Sequence, residues 1–110
     1  MTRHIAVDLD GTLASQDETG GPGDIGAPVH DILARVNDEL AAGNEVSIFT
    51  SRVDPSEEGA DEARAAIEAW CLEHLGCVLP VTAVKSRRFT EFWDDKAVTV
   101  RAMRKGRRGP

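Results

Sequence analysis

Close to the start of the chain, three apolar residues run directly into acids and a glycine: Ile5-Ala6-Val7-Asp8-Leu9-Asp10-Gly11-Thr12. A short β-prone run with that ending reads as a buried strand delivering a functional loop. Asp8 and Asp10 are two apart, and residues two apart in extended backbone point the same way. Both carboxylates can therefore face one ligand. Gly11 permits a tight exit that would bring backbone N–H groups toward an anion.

The rest of the chain alternates. Residues 14–27 are polar and glycine-rich, with Gly20-Gly21-Pro22-Gly23, and read as a loop or small flap. Val29, Ile32, Leu33, Val36 and Leu40 recur at helical spacing, with Pro28 acceptable in the first turn and Gly43 as a stop. Val46-Ser47-Ile48-Phe49 reads as a second strand. Ala63, Ile67, Trp70, Cys71 and Leu75 form a second helical stripe closed by Gly76. The start of that helix stays open: Asp54-Pro55-Ser56-Glu57 resembles a capped start, yet Gly59 inside the first turns would cost about 1 kcal/mol. Val81–Val84 and Phe89–Trp93 are candidate strands, and 97–100 a further short one. Strand, helix, strand, helix, strand predicts an α/β domain with a mostly parallel sheet, whose chemistry sits at the carboxyl ends of the strands.

At 110 residues the chain has room for one core, so residues 1–100 are read as one domain. No apolar run approaches the roughly 18 residues of a membrane span, and the first residues lack the pattern of a signal peptide. Cys71 and Cys77 make no disulfide framework and no zinc spacing, which points to a reducing cytoplasm. The net charge is −6, yet the last ten residues hold five of the 13 basic side chains and no acid. That tail, 101–110, reads as a solvated, flexible terminus, with contact to nucleic acid as the alternative. The acidic body argues against a dedicated nucleic-acid binder.

The residues at the strand ends decide the chemistry. Asp8-Leu9-Asp10-Gly11-Thr12 comes after the first strand, Thr50-Ser51-Arg52 after the second, Lys85 after the third and Asp94-Asp95-Lys96 after the last. A carboxylate that approaches a phosphate dianion needs a cation to offset repulsion. Asp8 with Asp94 or Asp95 could hold Mg²⁺ through hard oxygen ligands. Of Asp8 and Asp10, one would attack phosphorus while the other protonates the leaving oxygen and later activates water. Thr50 offers a hydroxyl donor and Lys85 a point charge for the phosphoryl oxygens, with Lys96 and Arg52 as alternative cations. Arg52 either orients the phosphate through its fork of donors or makes a salt bridge.

In this arrangement Asp8-Leu9-Asp10-Gly11-Thr12-Leu13 resembles the first motif of the haloacid dehalogenase superfamily. Phe49-Thr50 is similar to its second motif, Lys85 to its third and Trp93-Asp94-Asp95-Lys96-Ala97 to its fourth, in the family's order. The resemblance implies a three-layer Rossmann-like fold and a Mg²⁺-dependent phosphomonoester hydrolase. Asp8 would be nucleophile and metal ligand, and Asp10 general acid/base with its carbonyl toward the metal. Asp94, with Asp95 as a close alternative, would complete the metal site. Thr50, Ser51, Arg52 and Lys85 would bind the substrate phosphate.

The chain departs from the family's pattern in one place. Between Val84 and Phe89 there are too few residues for a helical crossover, which needs roughly a dozen. The family's helix before the last strand is therefore missing or displaced. No long insertion comes after Thr50, so the chain is read as capless. An open site suits a macromolecular phosphate, nucleic acid included, or shielding by the second subunit of a homodimer. The competing classes are a phosphoryl-accepting module and a non-catalytic protein that keeps the fold. No Gly-x-x-x-x-Gly-Lys-Ser/Thr run is present, which excludes a P-loop kinase. Trp70 is assigned to the core, Trp93 to a buried strand position with a place flanking the pocket as the alternative, and His4, His30 and His74 share no ligand spacing.

Overall fold

The structure is a computed structural model that describes residues 2–16 and 20–94. Asp95, Lys96, the candidate strand at 97–100, the basic tail and residues 17–19 of the flap lie outside the described residues.

Strand β1 (His4–Asp8) leads to helix α1 (His30–Ala41), strand β2 (Glu45–Phe49), helix α2 (Ala60–Leu75), and strands β3 (Val81–Thr82) and β4 (Glu91–Trp93). The sheet has the order β3-β2-β1-β4, and every pairing is parallel. The expected α/β class with a parallel sheet is what the chain adopts. From β1 the chain steps outward through β2 to β3, then returns to the far side of β1 for β4. Such a reversal places a crevice beside the carboxyl end of β1, the position where open α/β sheets hold their ligands.

Pleating divides the sheet into two unlike faces. Ile5 and Val7 of β1 are in register with Val46 and Ile48 of β2, and Trp93 of β4 pairs with Val7. These residues form one core with Val36 of α1 and Ile67, Trp70 and Cys71 of α2. Burying a side chain of that size contributes about 1.5–3 kcal/mol. Both helices lie on this face, as two right-handed crossovers running in the same direction require. His4, Ala6, Ser47, Phe49 and Phe92 belong to the other face, which segment 83–90 crosses without a helix. The third layer expected from the resemblance is therefore not helical among the described residues, in keeping with the short spacing between Val84 and Phe89.

Local chemistry sets the element ends. Pro28 precedes α1 rather than entering its first turn: Val29 is the extended N-cap, and Pro28 bridges to Ala14. Gly59, at φ +83, lies outside α2 and immediately before it. The acid of the apparent cap is used elsewhere, because Asp54 Oδ1 accepts from Ser56 N–H at 2.9 Å and Ser56 O–H at 2.7 Å. β3 stops at Thr82, whose Oγ1 accepts from Val84 N–H at 3.0 Å and turns the chain. β4 is shorter than expected because Phe89 donates to Ser86 in a turn, and Thr90 N–H is the first to bond β1, at His4 O.

Candidate functional site

The carboxyl ends of β1, β2 and β4 form one edge. Asp8 is paired with Phe49, so Thr50 stands one residue beyond it on the neighbouring strand. Val7 is paired with Trp93, so Asp8 and Asp94 are the next residues out on adjacent parallel strands. The backbone thus brings Asp8, Thr50 and Asp94, from distant parts of the chain, to one edge of the sheet at the switch point.

After Asp8 the chain closes a tight loop. Leu13 N–H donates to Asp8 O, Ala14 N–H to Leu9 O, and Gly11 N–H to Ala14 O at 2.8 Å. Gly11 takes φ +86, a conformation in which a side chain would be strained. The amides of Gly11, Thr12 and Leu13 are used within this loop. At these three amides the glycine shapes the loop rather than freeing donors. Leu9, Leu13 and Ala14 are buried beneath it.

Asp10 meets Arg52. Arg52 Nε donates to Asp10 Oδ2 at 2.9 Å and Nη2 to Oδ1 at 2.9 Å, a bidentate pair between half-buried side chains. Arg52 Nη1 also donates to the carbonyls of Gly21 at 3.1 Å and Pro22 at 3.0 Å. One guanidinium thereby joins the loop after β1 to the flap. The flap is further pinned by Trp70 Nε1–H donating to Gly26 O at 3.0 Å and by Ser15 N–H donating to Ala27 O. Its described residues are part of the body rather than a separate cap.

Thr50 is buried and caps the single turn of 3₁₀ helix at Ser51–Val53, its Oγ1 accepting from Arg52 N–H at 3.2 Å. That bond uses a lone pair and leaves the hydroxyl hydrogen as a donor. Ser51 is exposed beside it. Lys85 is exposed, with its Nζ 5.6 Å from the centroid of the Phe92 ring. The edge therefore brings together Asp8, Asp10, Thr50, Arg52 and Asp94, with Lys85 arriving over the sheet face.

No three His, Cys, Asp or Glu side chains among the described residues form a ready metal cluster. The donor set at the edge is smaller: two carboxylates on adjacent strand ends. Hard oxygen donors with water in the remaining positions fit Mg²⁺, which is commonly held through one or two carboxylates.

Sequence reasoning misses two features. The carbonyls of Gly21 and Pro22 carry no side-chain signal. Phe92 reads only as a strand residue, although its alternation with Trp93 puts it on the face opposite the core.

No family model matches this chain, and neither does any curated protein. Among solved structures, a conserved protein of Bacteroides thetaiotaomicron is similar in fold, with a TM-score of 0.58 and 19% identity over 97% of this chain and 93% of that one. The shared feature is the fold. No helix among the described residues is long and apolar enough to cross a membrane.

Proposed function

We propose that the chain is a Mg²⁺-dependent phosphomonoester hydrolase of the haloacid dehalogenase type, working through an aspartyl-phosphate on Asp8. The observation that carries the reading is the placement of Asp8 and Asp94 side by side at the strand edge, with Asp10 gripped by Arg52 two residues on.

In the first half-reaction an Asp8 carboxylate oxygen attacks phosphorus, and the bond from phosphorus to the leaving oxygen breaks. Asp10, in its protonated form, gives its proton to that oxygen. In the second, water attacks the phosphoryl group and gives a proton to the Asp10 carboxylate. The bond from phosphorus to Asp8 breaks, and inorganic phosphate leaves. Thr50 donates its hydroxyl hydrogen to a phosphoryl oxygen, and Lys85 places a positive charge near the others. Arg52 holds Asp10 in position. Asp8, Asp94 and the backbone carbonyl of Asp10 would hold Mg²⁺, which when bound offsets the charge of the phosphate.

The substrate end of this reading is a small ester. Beside Arg52 lies a cavity of about 240 Å³ lined by Gln16, Gly20, Gly21, Pro22, Glu57 and Glu58. Its two glutamates oppose a polyanionic leaving group and suit one with hydroxyl or amine donors. The free thiols of Cys71 and Cys77 fit a cytoplasmic setting.

The test is hydrolysis of small phosphomonoesters and of 3′- and 5′-phosphorylated oligonucleotides with Mg²⁺, wild type beside Asp8→Asn. Turnover of the small esters should vanish in Asp8→Asn while the thermal midpoint stays within a few degrees. Unchanged turnover in that variant would sink the reading, and faster cleavage of the oligonucleotides would sink the substrate preference.

A further inference from the structure

Segment 83–90 must bring the chain from the carboxyl end of β3 back to the amino end of β4, past β2 and β1. Aromatic rings take the same route. His4 meets Phe89 at 4.8 Å, Phe89 meets Phe92 at 5.5 Å and Phe92 meets Phe49 at 5.9 Å, all between ring centroids. The interplanar angles are 81–86°, the edge-to-face arrangement that ring quadrupoles favour.

Lys85 begins at the far side of this row, just after β3. Its ammonium reaches the face of Phe92 on β4, within the about 6 Å over which a cation is attracted to a ring. Phe92 is in register with Ala6, and Asp8 lies two residues beyond Ala6 on the same face of β1, about 7 Å along the strand. Among the described residues Lys85 makes no ion pair. A lysine on an irregular segment samples many rotamers, and an ammonium held on one ring samples few.

We propose that Phe92 is the positioning residue for Lys85, its ring holding the phosphate-binding cation beside Asp8 where no helix carries it. The proposal rests on the hydrolase reading above. Phe92 acts only through Lys85 and touches no reacting atom.

Kinetics with p-nitrophenyl phosphate and Mg²⁺, inhibition by inorganic phosphate, and the NMR shift of the Lys85 Hε protons test it together. Phe92→Leu should raise KM and the phosphate inhibition constant about two- to fivefold. Phe92→Trp should restore both, and in a Lys85→Ala background Phe92→Leu should add nothing. The Hε protons should be displaced upfield by the ring in wild type and Phe92→Trp, and return to ordinary values in Phe92→Leu. An equal loss in the Lys85→Ala background overturns the proposal. So does failure of a folded Phe92→Trp to rescue, or an undisplaced Hε signal in wild type. If Asp8→Asn turns over as fast as wild type, the hydrolase reading falls first. A displaced lysine signal would then mark a surface contact, and the positioning role would fall with the reading.

Discussion

Arg52 closes on Asp10 with two parallel hydrogen bonds of 2.9 Å and reaches the Gly21 and Pro22 carbonyls with its remaining arm. Both Asp10 oxygens act as acceptors in this geometry, and one guanidinium ties the loop after β1 to the flap.

Arg52→Lys tests the fork itself. Lysine keeps the charge but cannot make two parallel bonds to one carboxylate while also holding two carbonyls. The expected result is a fall in kcat of about 10- to 100-fold, the scale of loss when a catalytic group is misplaced by around an ångström. Steady-state kinetics on a small phosphomonoester check it. A kcat equal to wild type would assign Arg52 to stability alone.

The pair also marks the limit of sequence reasoning. Asp10 and Arg52 are 42 positions apart, and only the return of β2 alongside β1 brings them together. Sequence alone leaves Arg52 between phosphate contact and salt bridge because both need the same guanidinium. By contrast, β1 and its acids are legible because a contiguous apolar run ending in charge has few other readings. The stripe of α1 is legible from spacing, with Val36 fully buried and Ile32, Leu33 and Leu40 packed beside it. The start of α2 is not, because the capping pattern at Asp54 is spent on Ser56. Residue type overextends β3 and β4, because short parallel strands end where their neighbours' pairing ends, which it does not encode.

Gly59 is where an apparently neutral change should damage the fold. Its φ is +83, and a Cβ there would lie 2.6 Å from Pro22 Cγ. Gly59→Ala adds left-handed strain to a clash with the flap and should destabilise by roughly 1–3 kcal/mol. At about 4–8 °C per kcal/mol for a domain near this size, thermal denaturation should detect it easily. An unchanged midpoint would mean that the flap yields without cost.

The two thiols should separate by reactivity. Burial pushes the Cys71 thiol above its ordinary range, an effect that a hydrogen bond from the Leu79 backbone only partly offsets. At about pH 8 less thiolate is present at Cys71 than at an ordinary cysteine, and the thiolate is the reactive form. Cys77 is exposed. A disulfide reagent should therefore titrate one thiol rapidly in the native protein and the second only on unfolding. Two equally fast thiols would show that the carboxyl end of α2 opens freely.

Asp94 tests the metal reading without any need for turnover. Asp8 and Asp94 lie at matching positions on adjacent strands, so one cation can take an oxygen from each. A bound cation stabilises the folded state by RT ln(1 + [L]/Kd), and the Asp94→Asn variant has lost a ligand. Adding Mg²⁺ should therefore raise the wild-type midpoint clearly and that of Asp94→Asn little. The gain in midpoint with Mg²⁺ should be much larger for wild type than for the variant. If both proteins gain equally from Mg²⁺, Asp94 is not a ligand and the cation is held by other groups.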